Sequence, residues 1–341
     1  MLATLGLSVA FAPTRVLRPL RSEPGKLRAT PGTWDLELFS PAKINLFLRV
    51  VGRRPDGFHD LASLFQTIDL GDQLSFALLP PSAEADVLTC SLEDLPMDGS
   101  NLVSRALDLF RARTGQNRYF RCFLDKRTPM QAGLGGGSSN AATALHAANQ
   151  LCGAPATNEQ LIEWSGELGS DITFFLGLTG SAYCTGRGEI IDPVTALPST
   201  DLFVIKPAAG LSTPLVFKTL AASEYSSCSD ASPEELLRTF IEPTPTPADM
   251  YINDLEAPAF ECLPELATIK ESLLQKYGFP VARMSGSGTS IFAIGEPSAC
   301  SASEFLGRFS AEMADAGIEV QVWQSRFLER AGGENQWYAD P

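Results

Sequence analysis

The feature that most constrains this chain is a glycine cluster directly before a helical pattern. Four of the five residues at 133–137 are glycine, within the stretch PMQAGLGGGSSNAATAL at 129–145. Apolar residues then recur on one helical face, at Ala141, Ala144, Leu145, Ala148 and Leu151. Their spacing predicts a helix over about residues 140–151. The most flexible backbone of the chain therefore leads into a helix N-terminus.

The ends of this predicted helix are marked by Ser138, Ser139 or Asn140 as the N-cap and by Gly153 as the stop. Backbone N–H groups at a helix N-terminus lack partners, and the helix dipole adds about half a positive charge there. Glycines let the backbone approach an anion closely. Together these features predict a phosphate-binding loop over residues 129–139. A tight turn in close packing is the alternative, because the loop matches neither the P-loop nor the Rossmann glycine pattern.

The charge of the chain limits the partners it can have. Its 341 residues are 44% apolar and carry a formal net charge of −14. We therefore expect no nucleic-acid partner, because binding a phosphate backbone needs basic patches. A phosphate loop made of backbone N–H groups suits an acidic protein, since it needs no basic side chain. Seven scattered cysteines and two histidines predict reduced thiols and no structural zinc.

Residues 1–33 are predicted to be a targeting presequence that is removed or disordered. About a dozen apolar residues, too few to span a bilayer, precede a segment with five basic residues and one acidic residue. This two-part composition is typical of plastid presequences, so we expect a plastid location and no membrane attachment of the mature chain. A plain disordered tail is the alternative.

A strand is predicted by the alternation in KINLFLRVV at residues 43–51. One face of this strand carries Ile44, Leu46, Leu48 and Val50. The opposite face carries Lys43, Asn45 and Phe47. Taken alone, Lys43 is most simply a solvated lysine near a strand end.

Two further motifs carry weaker signals. The segment EWSGELGSDITFFLGL at 163–178 predicts a helix that ends at Gly169, with Ser170 or Asp171 opening the next element. Taken alone, Asp171 is most simply a helix N-cap. The second glycine cluster, MSGSGTSIF at 284–292, is most simply a turn before a strand.

The combination of these motifs resembles the GHMP kinase superfamily. Its segments are SPAKINLFLRVVGRRPDGFHDLASLFQTIDLGD, PMQAGLGGGSSNAA, GSDITFF and MSGSGTS, and the resemblance covers about residues 38–295. Within the superfamily, PAKINLFL and DGFHDL are most similar to the kinases of a cytidine diphosphate-linked methylerythritol in the non-mevalonate isoprenoid pathway. EWSGELGSDI and AYCTGRGEI resemble the plant plastid forms of these kinases. The resemblance implies ATP-dependent phosphorylation of the 2-hydroxyl group of that small-molecule substrate.

The resemblance also implies an α+β, two-domain GHMP kinase fold. The implied ATP-binding domain covers residues 34–195, and a smaller α+β substrate domain covers residues 196–330, with the active site in the cleft between them. We interpret the Ser- and Pro-rich segment 223–250 as a surface insertion rather than a site, and residues 331–341 as a tail.

Site residues follow from the same resemblance. Lys43 and Asp171 match the catalytic pair, in which Asp171 accepts the hydroxyl proton and Lys43 counters the developing charge. ATP and Mg²⁺ are the implied cofactors, and Ser138 is the one protein ligand considered for the metal. The residues expected to bind ATP are Pro129, Met130, Gln131, Ala132, Gly133, Leu134, Gly135, Gly136, Gly137, Ser138 and Ser139. The residues expected to contact the alcohol substrate are Asn45, Phe58, His59, Phe65, Thr213, Phe217, Gly286, Ser287 and Gly288.

The substrate contacts leave alternatives open. Phe58 or Phe217 is expected to stack on the cytosine and His59 to bond to its edge, but core packing is the alternative for each ring. Gln131 and Thr173 depart from the family pattern, which has a small residue and a proline at these positions. The competing functions are another GHMP kinase, acting on homoserine, mevalonate or a sugar, and a non-catalytic nucleotide-binding relic. We expect a monomer or a weak homodimer.

Overall fold

The computed structural model describes residues 33–96, 98–220, 231–330 and 336–341. Apart from Thr33, the predicted presequence lies outside these residues. Within the described ranges, no helix combines the length and the apolar character needed to cross a membrane. The described chain is an α+β structure built on two sheets.

The first sheet and its helices come from the first part of the chain. In chain order the elements are β1 (Leu36–Arg53), β2 (His59–Leu78), β3 (Val87–Cys90), α1 (Leu102–Thr114), β4 (Phe120–Asp125), α2 (Gly136–Leu151), α3 (Asn158–Ser165), α4 (Ser170–Leu176), β5 (Ser181–Gly186) and β6 (Ile190–Pro193). The strand order is β3-β4-β2-β5-β6, with β1 paired to β2. Helix α2 packs against β1, β2, α1 and α4, so it lies at the centre of this half.

The second sheet comes from the later part of the chain. Its elements are β7 (Asp201–Pro207), α5 (Thr213–Thr219), α6 (Pro233–Ile241), a 3₁₀ turn (Ala248–Met250), α7 (Glu256–Cys262), α8 (Glu265–Glu271), a π-helical turn (Ser272–Lys276), β8 (Val281–Met284), β9 (Ile291–Ile294), α9 (Ala302–Asp315) and β10 (Val320–Arg326). The strand order is β10-β7-β9-β8. The predicted division at residues 195 and 196 falls between the strands of the two sheets and stays a prediction.

Strand β1 contains the strand predicted over residues 43–51 and extends it at both ends. Its residues 39–50 are all buried, so both faces of the strand are covered. Lys43 and Asn45 share a side as predicted, since Lys43 Nζ donates to Asn45 Oδ1 at 2.8 Å. Placing Phe47 with them is wrong: its ring is buried in the apolar core that joins the two sheets. A register shift between Asn45 and Phe47 inserts one residue and reverses the alternation.

Helix α2 begins earlier than predicted. It starts at Gly136, with Gly135 as N-cap in the left-handed region at φ 69°, and no side chain caps it. The predicted caps at 138–140 are therefore wrong, because these residues lie inside the first turn and a half. Ser139 is fully buried and is engaged elsewhere, since Ser40 Oγ donates to Ser139 Oγ at 2.8 Å.

The segment interpreted as a surface insertion is partly packed. Its residues 223–230 lie outside the described residues. The next stretch forms α6, whose Leu236 and Phe240 are buried in the core between the sheets. This helix has a capping box at Ser232, which explains why a Ser- and Pro-rich sequence is helical here. The described part of the segment is therefore not only a surface loop.

The predicted tail is also part of the packed body where it is described. Trp337 and Tyr338 are buried in the same core as α1 and α2. The indole N–H of Trp337 donates to the Phe39 carbonyl at 2.7 Å, and its ring stacks on His146 of α2 at 4.5 Å between centroids. Burial, together with the positive charge of Arg330, lowers the pKa of His146 to about 3. His146 is therefore a neutral packing residue.

Candidate active site

The two glycine clusters meet beside the middle of β1, near Lys43 and Asn45. The Lys43 backbone N–H donates to the Leu134 carbonyl at 2.9 Å, which pins the first cluster to the strand. Ser285 Oγ, at the start of the second cluster, donates to the Gly133 carbonyl at 3.0 Å. A Cβ added to Gly133, which has φ 72°, would overlap the Ser285 carbonyl oxygen. Glycine is required at 133 by this close approach as well as by its backbone angle.

A cavity of about 450 Å³ opens over the glycine loop. It is lined by every predicted ATP-binding residue from Pro129 to Ser138. Ser139 is the exception, because its side chain is buried against Ser40 instead. The remaining wall is formed by Leu95, Pro96, Ser100, Asn101, Leu102, Leu124, Lys126 and Asn140. The first turn of α2 points its N–H groups at this cavity, so the loop has the form of an anion cradle.

Sequence reasoning missed two charged residues that organise this cradle. Lys126 lines the cavity, so a basic side chain adds to the cradle although the sequence interpretation required none. Its ammonium pairs with the fully buried Asp72, which also accepts the backbone N–H of Thr128 at 2.7 Å and the Asn140 amide at 2.8 Å. Asp72 thereby ties β2 to the loop entry and to α2. A lysine three residues before Pro129 was the available signal.

The predicted catalytic pair is brought together. Lys43 Nζ lies 3.6 Å from Asp171 Oδ2, although 128 residues separate them in sequence (171 − 43). Lys43 is 4% exposed and Asp171 is one-third exposed, so the carboxylate faces an approachable side. Lys43 is therefore not a solvated strand-end lysine.

The local structure around Asp171 differs from the expectation in two respects. Helix α4 opens at Ser170 as predicted, but its N-cap is Gly169, so Asp171 lies inside the first turn and is not the cap. Gly169 does not end the preceding helix, because α3 already ends at Ser165. The departure at Thr173 is accommodated, since its hydroxyl is 3.1 Å from that of Ser165 and links α4 to α3.

Phe65 belongs to the core and also borders the catalytic pair. Its ring is 5% exposed and packs edge-on against Phe174, with centroids 5.3 Å apart. Lys43 Nζ lies 4.2 Å from the centre of the same ring. A cation over an aromatic face is stabilised without being neutralised, so Phe65 helps to hold the ammonium in place.

The aromatic residues are arranged differently from the expected pair. His59 stacks on Phe217, with ring centroids 5.0 Å apart and planes inclined by 21°. Phe58 is 56% exposed, and the guanidinium of Arg187 lies 5.1 Å from the centre of its ring. Burial and Arg53 lower the pKa of His59, which favours a neutral imidazole that can both donate and accept a hydrogen bond.

The second glycine cluster closes the site from the side of the second sheet. Ser287 Oγ lies 2.7 Å from Thr213 Oγ1 at the start of α5, so these two predicted residues meet. A Cβ added to Gly286 would lie 3.5 Å from Asn45 Oδ1, which places this cluster beside the Lys43 side of β1. Gly286 and Gly288 both have positive φ angles, of 61° and 101°. The cluster is a turn, as the plainer interpretation held, but one that contacts the site.

Gln131, the other departure from the pattern, takes the left-handed conformation with φ 52° at the loop entry.

Across the described ranges, no group of three or more His, Cys, Asp or Glu side chains is arranged to hold a metal ion. Ser100 and Ser138 are the residues with hydroxyl side chains among those that line the cavity.

Comparison with known proteins is consistent with this geometry. Family models described as "GHMP kinases N terminal domain" and "GHMP kinases C terminal" match residues 101–177 and 245–311. Over 306 residues the chain is 49% identical to the 4-diphosphocytidyl-2-C-methyl-D-erythritol kinase of Protochlamydia amoebophila, covering 90% of this chain and 94% of that protein. Over 314 residues it is 45% identical to the chloroplastic enzyme of the same name from Oryza sativa subsp. japonica, covering 91% and 74%.

Comparison with solved structures also finds a kinase of this kind. A crystal structure of 4-(cytidine 5'-diphospho)-2C-methyl-D-erythritol kinase matches with a TM-score of 0.69 and 32% identity, covering 87% of this chain and 100% of that one. A homoserine kinase from Cytophaga hutchinsonii matches with a TM-score of 0.66 but only 19% identity, so it shares the fold alone.

Proposed function

Because the chain belongs to the 4-diphosphocytidyl-2-C-methyl-D-erythritol kinase family of GHMP kinases, we propose that it phosphorylates the 2-hydroxyl group of that cytidine diphosphate-linked alcohol, using ATP, in the non-mevalonate isoprenoid pathway. Membership confirms the predicted α+β GHMP kinase fold and the ATP-dependent kinase activity. Homoserine and mevalonate kinases are less supported, because the solved examples share 12–19% identity with the chain. The observation that carries the proposal furthest is the Lys43–Asp171 pair beside the glycine cavity.

The nucleotide phosphates would lie against the first turn of α2. The backbone N–H groups of residues 136–138 would hold them, assisted by the ammonium of Lys126 at the cavity wall. Gly133 and Gly135 let the loop pack closely on its support, since an added Cβ would meet the Ser285 carbonyl oxygen at 133 and the side chains of Lys43 and Phe175 at 135. Mg²⁺ would neutralise charge on the transferred group, and the Ser138 hydroxyl in the first turn of α2 would be its protein ligand.

The alcohol would be activated by Asp171. Its carboxylate would accept the hydroxyl proton as the oxygen attacks the γ-phosphoryl group. Lys43, whose Nζ lies 3.6 Å from this carboxylate, would offset the negative charge that develops in the transition state. Asn45 fixes Lys43 through its 2.8 Å hydrogen bond, and Phe65 supports the ammonium from below. Both members of the pair are present, which argues against a non-catalytic relic.

The glycine loop gives a prediction about ATP. Gly137→Val is expected to raise KM for ATP about 10- to 100-fold, the effect of losing one charge-assisted hydrogen bond from the cradle. An added Cβ at 137 meets only Leu102, at 3.7 Å, so the variant should fold. Gly136 is a poorer choice, because a Cβ there would lie 2.9 Å from Thr128 and would strain the loop entry.

The matched control for this prediction is Gly307→Val, at a helical glycine of α9 with nothing within 4 Å of an added Cβ. Steady-state kinetics at varied ATP should separate the two variants. An unchanged KM for ATP in folded Gly137→Val would mean that the loop is only a structural turn.

The aromatic stack gives a prediction about the cytidine. Phe217→Ala is expected to cost about 1–3 kcal/mol of base stacking, or about 5- to 150-fold in kcat/KM for the cytidine substrate. KM for ATP should stay within about twofold. Because His59 and Phe217 already touch, the base would stack on the outer face of one ring or separate the two.

Phe260→Ala is the matched control, since Phe260 is also a partly buried ring at the edge of the core under the second sheet. Both variants lose packing, but only Phe217→Ala should lower kcat/KM for the cytidine substrate while leaving KM for ATP nearly unchanged. Equal weakening of ATP and alcohol kinetics in both variants would contradict a role in base recognition.

We also propose a plastid location, because the plant relatives are named as chloroplastic. The segment that would direct import lies in residues 1–33, nearly all of them outside the described residues. The expected monomer or weak homodimer stays a prediction.

A further inference from the structure

The turn between β5 and β6 brings an arginine to the edge of the candidate active site. Residues 186–189 read GRGE, and both glycines have positive φ angles, of 68° and 102°. Gly188 is buried beside the catalytic pair: a Cβ there would lie 3.9 Å from Asp171 Oδ1 and 3.9 Å from the Phe65 ring. Arg187 is therefore the sequence neighbour of a glycine that lies against the catalytic carboxylate.

The side chain of Arg187 extends toward the aromatic side of the site. Its guanidinium lies 5.1 Å from the centre of the Phe58 ring, and 47% of the side chain is exposed. Glu189 fixes the turn, because its carboxylate accepts the Arg187 backbone N–H and lies 3.8 Å from the Arg187 Nε. Glu189 therefore fixes the backbone of the turn and leaves the end of the Arg187 guanidinium accessible to solvent.

Neighbouring strands bring other charges to this end of the sheet. Arg53 of β1 pairs in the ladder with His59 of β2, and Leu61 of β2 pairs with Gly186 of β5. The positive charge of Arg187 is among the causes that lower the pKa of Asp56, after the Phe58 backbone N–H. Two arginines, Arg54 and Arg187, thus contact three carboxylates here, those of Asp56, Asp60 and Glu189.

The ion pairs at this end of the sheet are not equivalent. Arg54 is engaged by two carboxylates, at 3.2 Å from Asp56 and 3.0 Å from Asp60. Arg187 has a longer contact of 3.8 Å with Glu189 and keeps nearly half of its surface in solvent. An incoming anion can therefore replace the carboxylate beside Arg187 at a lower cost in free energy than it can replace the two carboxylates beside Arg54.

We propose that Arg187 binds the diphosphate group of the alcohol substrate and so contributes to substrate specificity. This inference rests on the proposed function. In a cytidine diphosphate-linked alcohol, the diphosphate joins the reacting hydroxyl end, at Asp171, to the base, at His59 and Phe217. The diphosphate must cross the surface between them, where Arg187 lies. A planar guanidinium suits this role because it offers two parallel N–H donors to phosphate oxygens.

The proposal also gives Phe58 a role that differs from base stacking. Its exposed ring supports the guanidinium of Arg187 at 5.1 Å, which limits the rotamers that the arginine must give up on binding. Phe58 then acts on the diphosphate through Arg187, whereas His59 and Phe217 serve the base.

The kinetic test compares Arg187→Gln with Arg54→Gln. Arg187→Gln is expected to lower kcat/KM for the cytidine diphosphate-linked substrate about 10- to 100-fold, mainly through KM, with KM for ATP unchanged. Arg187→Lys should recover part of the loss, because it restores the charge but not the bidentate geometry. Arg54→Gln, at the neighbouring ion-paired arginine, should stay within about threefold of wild type. A fall in kcat with unchanged KM would overturn the proposal and assign Arg187 to the transferred phosphoryl group.

A binding measurement separates this inference from the proposed function. The probes are cytidine 5'-diphosphate and cytidine, titrated by calorimetry into the full chain saturated with a non-hydrolysable ATP analogue. Wild type should bind the diphosphate about 10- to 100-fold more tightly than Arg187→Gln does, whereas cytidine should bind both equally. Equal affinities for the diphosphate, or no binding to wild type, would overturn the proposal. If wild type bound the diphosphate through Arg187 but did not phosphorylate the named alcohol, only the proposed function would fail.

Discussion

Asp171→Asn is expected to lower kcat about 10²- to 10⁴-fold, the usual contribution of a general base, while KM for ATP stays nearly unchanged. The amide keeps the shape of the carboxylate but cannot accept the hydroxyl proton. Asp171 is one-third exposed in the first turn of α4, so the substitution should leave the fold intact. Steady-state kinetics with the cytidine substrate, together with urea denaturation, measures both effects.

The control for this variant is Asp315→Asn, an exposed carboxylate at the end of α9 and outside the site. It should change neither kcat nor stability appreciably. If Asp171→Asn kept more than half of the wild-type kcat, Asp171 would have no part in the proton transfer.

Trp337→Ala is expected to reduce the free energy of unfolding by about 3–5 kcal/mol, as for other large buried rings. The indole is 8% exposed, donates to the Phe39 carbonyl and stacks on His146, while the Arg330 guanidinium lies 4.8 Å from its centre. Removing it opens a cavity under α2, the helix that carries the glycine loop at its start. Chemical denaturation followed by far-UV circular dichroism gives the free energy directly.

The matched control is Trp34→Ala at the other end of the described chain. Trp34 is half-buried and is covered mainly by the guanidinium of Arg121, at 4.1 Å from the ring centre. Its loss should cost about 1 kcal/mol. Equal stability of wild type and Trp337→Ala would mean that residues 336–341 are a dispensable tail after all.

The glycine loop before a helix was predictable because its signals are local. Flexible backbone and an apolar helical stripe can both be read within about 20 residues, here 129–151. The helix start was misplaced, at about 140 instead of Gly136, because glycine is a poor helix former. Position 136 is occupied by glycine for a tertiary reason: a Cβ there would meet Thr128 and Lys126 at 2.9 Å.

The catalytic pair and the second half of the fold came from resemblance and not from periodicity. No pattern in the sequence links Lys43 to Asp171, and Asp171 alone looks like a cap. Where alternation alone was used, it misplaced Phe47, because a bulge in β1 leaves no mark on the hydrophobic pattern. Of the three residues predicted to share a face, Lys43, Asn45 and Phe47, the expectation held for Lys43 and Asn45 only.

The residues that were missed depend on long-range contacts. Asp72 acts through Lys126, Thr128 and Asn140, which are 54–68 positions away in sequence. Trp337 packs on Phe39, 298 positions earlier. A buried carboxylate and a terminal tryptophan both have ordinary sequence neighbours, so only the folded arrangement reveals what they hold in place.

The most direct test of the central claim is a substrate comparison with product identification. The purified chain is supplied with Mg-ATP and, separately, with 4-diphosphocytidyl-2-C-methyl-D-erythritol, homoserine, mevalonate or galactose, and products are identified by mass spectrometry. We predict one added phosphoryl group on the 2-hydroxyl of the cytidine substrate, with one ADP formed per product and at most trace turnover of the other alcohols. Comparable phosphorylation of an alcohol that lacks the cytidine diphosphate, or none of the alcohol that carries it, would contradict the assignment.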